Sequence, residues 1–142
     1  MASRVAVIVG GTRGIGMAMG KQWLNNQLKN DLIPRLFILG RNIDIKTNKS
    51  LESLMQQYNK CDIHPISVDL TKSESIEQAA RIVSINTDTI DYLIHTAGIL
   101  HNVDSSGQVV EGMPSLPERS FKEILPINTW FIAMVNIYLR LI

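Results

Sequence analysis

Gly10, Gly14 and Gly16, spaced G-x-x-x-G-x-G within Val9-Gly10-Gly11-Thr12-Arg13-Gly14-Ile15-Gly16, carry the clearest chemistry in this chain. Glycines at this spacing let the backbone turn tightly and let an anion approach the main chain. A helix starting at the turn leaves its first N–H groups without intrahelical partners, so they face that anion. A pyrophosphate is the anion that such a turn suits. Arg13, inside the turn, adds a guanidinium able to make paired contacts to phosphate oxygens. The loop of nucleoside triphosphatases is excluded, because it closes on Gly-Lys-Ser/Thr and Gly16 is followed by Met17. Gly20-Lys21-Gln22 falls well inside the helix and lacks the hydroxyl that would hold magnesium.

The elements that must hold these residues are legible from hydrophobic spacing. Val5–Val9 reads as a buried strand. A helix from about Gly14 to Leu28 follows, with Ile15, Met19 and Trp23 expected on its inward face. Leu36–Leu39, between Pro34 and Gly40, reads as a second strand. A helix over Ser50–Tyr58 carries Leu51, Leu54, Met55 and Tyr58 at helical spacing, and His64–Val68 reads as a third strand. Thr71 with Glu74 has the spacing of a capping box, opening a helix with Ile76, Ala79, Ala80 and Val83 inward. Tyr92–His95 is strand four, Leu100–Pro117 a long loop, and a last helix runs from about Pro126. This alternation predicts an α/β fold, a doubly wound parallel sheet of the Rossmann type with helices on both faces.

In such sheets ligands bind at the carboxyl ends of the strands, which singles out the residues after strands one, two and four. A site preferring NAD places an acid after strand two for the ribose 2′-hydroxyl, whereas arginine accommodates a 2′-phosphate. Here the sequence is Gly40-Arg41-Asn42, with no carboxylate before Asp44. Arg13 and Arg41 converging on one place favour NADP(H) over NAD(H). Read as solvated charges, they imply nothing. Thr96, Ala97 and Gly98 end strand four, where small residues let the backbone approach a ribose.

Composition narrows the class. With 142 residues and a formal net charge of +1, the chain fits one domain and has no bulk charge for a nucleic-acid or membrane-surface role. A single cysteine, Cys61, has no disulfide or CxxC partner, which suits a reducing, cytoplasmic setting. No signal-peptide pattern opens the chain. The apolar run Trp130–Ile142 has 13 residues and includes Asn136 and Arg140, where a membrane span needs about 20. His64 and His101 lack ligand partners at metal spacing, so no metal site is expected.

The glycine turn resembles the T-G-x-x-x-G-x-G turn of the short-chain dehydrogenases/reductases, with Val9 in place of Thr. Leu39-Gly40-Arg41-Asn42, Val68-Asp69-Leu70-Thr71 and His95-Thr96-Ala97-Gly98 follow in that family's order, the last resembling its Asn-Asn-Ala-Gly. Gly98-Ile99-Leu100-His101 and Pro117-Glu118-Arg119-Ser120 are similar to the C-factor-type carbonyl reductases. The resemblance implies that Gly10, Thr12, Arg13, Gly14, Ile15 and Gly16 cradle the pyrophosphate and neighbouring ribose. It implies that Arg41 and Asn42 meet the 2′ position, that Asp69 and Leu70 meet the adenine, and that Thr96, Ala97 and Gly98 line the site. Asp69 could equally serve helix-cap chemistry. His95, where the family has a structural asparagine, reads as a packed rather than catalytic histidine.

Val135-Asn136-Ile137 resembles the family's Val-Asn-Leu, which implies that Asn136 supports its proton relay. Asn128 is the rival. The family's catalytic serine and Tyr-x-x-x-Lys pair come later still, and no substitute precedes Ile142: Asp62, Thr96 and Ile142 stand four residues after Tyr58, Tyr92 and Tyr138. The expectation is therefore a single domain, 1–142, cut short after its first four strands. It should bind NADP(H) but be inactive alone, and meet a small carbonyl substrate only if the remaining half is supplied. Tyr92–His95 would stand as an open edge, favouring homo-oligomers or other edge association. A non-catalytic dinucleotide-binding or regulatory protein is the alternative. A methyltransferase is disfavoured by Arg41.

Overall fold

Val5–Val9 (β1) lies at the centre of the sheet, and all five residues are buried. A strand with neighbours on both sides and helices on both faces has no wet face, so its sequence is an unbroken apolar run rather than an alternation. The computed structural model describes residues 4–41 and 43–98. Within them the order is β1, α1 (Gly14–Leu28), β2 (Arg35–Gly40), α2 (Lys49–Gln57), β3 (Asp62–Ser67), α3 (Ser73–Asn86) and β4 (Tyr92–His95). The four strands form a parallel sheet, as the alternation predicted, in the order β3-β2-β1-β4. Asn42, Asn128, Asn136, the expected Leu100–Pro117 loop and the expected last helix lie outside the described residues.

Each face of the sheet has its own apolar cluster. Val5, Val7, Val9, Phe37, Leu39, Ile66 and Val68 pack against Ile76, Ala79 and Val83 of α3. Ala6, Ile8, Leu36 and Ile38 pack on the other face, with Met17, Trp23 and Leu24 of α1 and Leu51, Leu54 and Tyr58 of the α2 region. α1 and α2 thus share one face and α3 covers the other, so the winding is double. Tyr58 donates its hydroxyl to Asn25 Oδ1 at 2.9 Å, tying the end of α2 to α1.

Three local expectations are corrected. The buried stripe of α1 is Gly16, Met17, Gly20, Trp23, Leu24 and Gln27, while Ile15 and Met19 are 74% and 40% exposed. Glycines at 16 and 20 let the helix approach the sheet closely, so proximity rather than apolar bulk decides which face turns inward. Thr71 does not cap α3: the helix begins at Ser73 without a side-chain cap. The Thr71 hydroxyl and N–H both go to Asp69 Oδ1, at 2.7 and 3.1 Å, because an ionised acceptor two residues away outcompetes the helix end. The third strand begins at Asp62 rather than His64, held by an ion pair to the neighbouring strand.

That ion pair sits where β2 and β3 begin. Arg35 Nε donates to Asp62 Oδ2 at 2.6 Å, and His64 Nε2 lies 2.7 Å from Asp62 Oδ1. Arg35 also donates to the Asn86 carbonyl at the end of α3. The His64 ring stacks on Phe37 with centroids 4.9 Å apart. Cys61, just before β3, is half-buried against the α2 face, and burial pushes its thiol pKa up. An inert thiol is the physical reading. Among the described residues no helix is long and apolar enough to cross a membrane, and no cluster of metal-ligating side chains occurs.

Candidate functional site

The chain runs from β1 to β2 on one side of the sheet and returns from β3 to β4 on the other side of β1. Strand order therefore reverses over the carboxyl end of β1, the place where open α/β sheets form a crevice. A cleft of about 730 Å³ lies there, between the glycine turn, the end of β2, the segment after β3 and the end of β4.

The turn is shaped by two glycines. Gly10 has φ +83°, and a Cβ there would fall 2.6 Å from the Ala97 backbone nitrogen. A Cβ on Gly16 would overlap the Gly10 carbonyl and the Thr96 hydroxyl. The turn is pinned from both sides. Gly10 N–H donates to the Leu39 carbonyl at 2.8 Å, while the Val9 carbonyl accepts Thr96 N–H at 2.8 Å, Ala97 N–H at 3.1 Å and Thr96 Oγ1 at 3.0 Å.

α1 starts at this turn with its N-cap, Arg13, in extended backbone, with no side-chain cap and no acidic residue in the first turn. The first N–H groups of α1 thus open onto the cleft with no side chain among the described residues to neutralise them. That is the arrangement an anion fits.

The expectations for individual residues can now be placed. Gly10, Thr12, Arg13, Gly14, Ile15 and Gly16 line the cleft from the turn. Arg41 lines it from the end of β2, Leu70 from beyond β3, and Thr96, Ala97 and Gly98 from the end of β4. Asp69 does not line the cleft but flanks Leu70. Its carboxyl pKa is held low, first by the Thr71 hydroxyl and backbone N–H and less by the charges of Lys72 and Arg41. Its Oδ1 closes a turn on Thr71 rather than capping α3, and Oδ2 lies beside Lys72 Nζ at 3.7 Å. Thr96 spends its hydroxyl on the Val9 and Gly10 carbonyls and so shapes the turn. His95 is half-buried at the end of β4.

Among the described residues, the cleft wall carries two guanidiniums and no carboxylate. Neither Arg13 nor Arg41 makes a hydrogen bond or short ion pair with another described residue. Asp44, the nearest acid after β2, does not line the cleft and accepts the Lys46 N–H at 2.9 Å instead. Sequence reasoning missed Asn48, which lines the cleft as the N-cap of α2. Its type before an amphipathic helix signals a cap. That it also reaches the cleft depends on the turn over 44–48, which spacing does not show. Two of the three tyrosines are engaged structurally, Tyr58 on Asn25 and Tyr92 as acceptor from Arg4 Nη1 at 2.9 Å.

Known proteins share this architecture. The chain is 30% identical over 97 residues to carbonyl reductase family member 4 of Danio rerio, covering 68% of this chain and 36% of that protein. It is 25% identical over 132 residues to a short-chain dehydrogenase of Penicillium roqueforti, covering 93% and 50%. Among solved structures, an NADPH-bound carbonyl reductase from chicken fatty liver superposes with a TM-score of 0.76 at 19% identity, covering 99% of this chain and 48% of that one. At that identity the likeness speaks for the fold. This chain spans half or less of the length of these relatives. The sequence profile of the short chain dehydrogenases matches residues 4–139. With the strand order, the glycine turn and the cleft over β1 all in agreement, the chain belongs to the short-chain dehydrogenase family.

Proposed function

We propose that this chain is the NADP(H)-binding part of an oxidoreductase that interconverts a small carbonyl compound and its alcohol. The observation that carries the reading is the charge of the cleft: Arg13 and Arg41 stand on its wall, while Asp44 is turned away onto Lys46 N–H. The cofactor's nicotinamide supplies or accepts hydride when bound. The present residues bind and orient. The first N–H groups of α1, from Gly14, Ile15 and Gly16, would face the pyrophosphate, with Gly10 and Thr12 completing the turn. Arg13, Arg41 and Asn42 would meet a 2′-phosphate. Asp69 Oδ2 and the Leu70 N–H would meet the adenine, and Ala97 and Gly98 would let the backbone pass close to the adenosine ribose. The NADPH in the chicken carbonyl reductase structure supports this choice. We further infer a cytoplasmic protein that associates through the β4 edge, where Tyr92 and Leu93 are 39% and 38% exposed.

A second reading, dinucleotide binding without catalysis, is favoured by the structural engagement of Tyr58 and Tyr92. Calorimetric titration with NADPH and NADH tests what both readings share. NADPH should bind more tightly, and Arg41→Ala should weaken it by about 1.5–3 kcal/mol, the worth of a charge-assisted hydrogen bond. Equal affinities, unchanged by the substitution, would refute the cofactor assignment.

A further inference from the structure

We propose that Asn48 is a specificity-determining residue, whose amide selects a phosphate over a hydroxyl at the β2 side of the cleft. This rests on the dinucleotide reading above and extends it to a residue outside the glycine turn and the β2 terminus.

The atoms decide the orientation. Asn48 caps α2 by accepting the Leu51 N–H on Oδ1 at 3.1 Å. A backbone N–H needs an acceptor, so the oxygen is the atom turned toward the helix and Nδ2 is turned away from it. Asn48 is half-buried and lines the same cleft as Gly40 and Arg41. Its Nδ2 has no hydrogen-bond partner among the described residues. The preceding turn seats it there: the Asp44 carbonyl accepts Thr47 N–H at 3.2 Å and Asn48 N–H at 2.9 Å, while Asp44 Oδ1 takes the Lys46 N–H.

Capping thus engages one lone pair of Oδ1 with the helix and leaves the Nδ2 donors of Asn48 uncommitted. A sugar hydroxyl is satisfied by a neighbour that accepts its proton. A phosphate, all acceptor, is satisfied by donors alone. Beside Arg41, in a cleft with no carboxylate among its described lining residues, the Nδ2 donors suit a phosphate, while no anionic acceptor stands ready for a hydroxyl's proton.

The test uses 2′,5′-adenosine diphosphate and 5′-adenosine monophosphate, which differ only in the 2′-phosphate, titrated into the 142-residue chain and its variants. Asn48→Asp keeps a cap of equal quality but turns the donor into a carboxylate. It should weaken the bisphosphate about tenfold or more while changing the monophosphate by less than about twofold. The melting temperature should stay within about 2 °C of wild type. Asn48→Ser, which also caps, should lose part of the same preference without adding repulsion. Asn48→Asp with an unchanged ratio of the two affinities, or with both ligands and the melting temperature falling together, overturns the inference and leaves Asn48 a helix cap. A wild-type chain that does not favour the bisphosphate, and is indifferent to Arg41→Ala, overturns the cofactor reading itself.

Discussion

Two glycines one turn apart in α1 should respond in opposite directions to the same substitution. At Gly16 the added methyl meets the Gly10 carbonyl and the Thr96 hydroxyl, and the carbonyl belongs to a backbone pinned on both sides. Gly16→Ala must both displace Thr96, losing a hydrogen bond of about 1 kcal/mol, and lift the first turn of α1 off the Gly10 carbonyl, an overpacking strain of about 1–3 kcal/mol. A helix-propensity gain of at most about 1 kcal/mol opposes this. The net is a loss of about 1–3 kcal/mol. At Gly20 the methyl would lie 3.4 Å from Ile8 Cδ1 and 3.6 Å from Leu36 Cδ2, ordinary contact distances. Gly20→Ala therefore keeps most of the propensity gain and should stabilise by up to about 1 kcal/mol. For a chain of this size each kcal/mol moves the melting temperature by about 3–5 °C. Circular-dichroism melts should place Gly20→Ala a few degrees above wild type and Gly16→Ala about 5–12 °C below it. NADPH titration should find only the latter weakened. Gly16→Ala melting and binding like wild type, or Gly20→Ala failing equally, would mean that α1 is not seated against the turn as described.

Two further outcomes follow from the site. The Asp69 carboxyl has its pKa lowered in the folded state, so its stabilisation is complete at neutral pH and is lost as pH falls through that lowered value. Wild type should melt above Asp69→Asn at pH 7, with the gap narrowing as acid protonates the Asp69 carboxyl; a gap that stays constant from neutral pH into acid refutes the Thr71 contacts as its source. The 142-residue chain should also show no NADPH oxidation with aldehydes, diketones or quinones, since Tyr58 and Tyr92 are engaged elsewhere and none of its tyrosines has the lysine that would tune it. Turnover that survives purification and vanishes in Tyr92→Phe would show the acid to be misplaced.

The order of elements was legible because parallel strands and amphipathic helices have different periods, and Val5–Val9, Leu36–Leu39 and Tyr92–His95 are apolar runs of strand length. The cleft was legible through Gly10, Gly14, Gly16 and Arg41 because a tight turn and a charged strand end leave marks in residue type. The inward face of α1 was not. Ile15 and Met19 look like core, but the face is set by how near Gly16 and Gly20 let the helix come, a distance that hydrophobicity does not encode. Thr71 was misread because its spacing to Glu74 satisfies a local rule, while the contest with Asp69 is settled by charge. Asn48 stayed hidden because its place in the cleft depends on how the 44–48 turn curls, through hydrogen bonds to Asp44 that leave no pattern along the chain.

The Val9 carbonyl, with its three donors from Thr96 and Ala97, has a bearing on when this site can exist. Val9 and Thr96 are 87 positions apart. Bringing such distant positions together comes late in folding, because the closure entropy must be met before the contact rewards it. Until β4 docks beside β1, the glycine turn has no wall behind it and the space over Gly10 is open to water. A growing chain would thus carry its glycine turn braced on one side, by the Gly10–Leu39 hydrogen bond to β2, well before β4 supplied the wall behind it. A nucleotide present during synthesis would then act as a latch, holding β4 in place beside β1, and not as a template for β1.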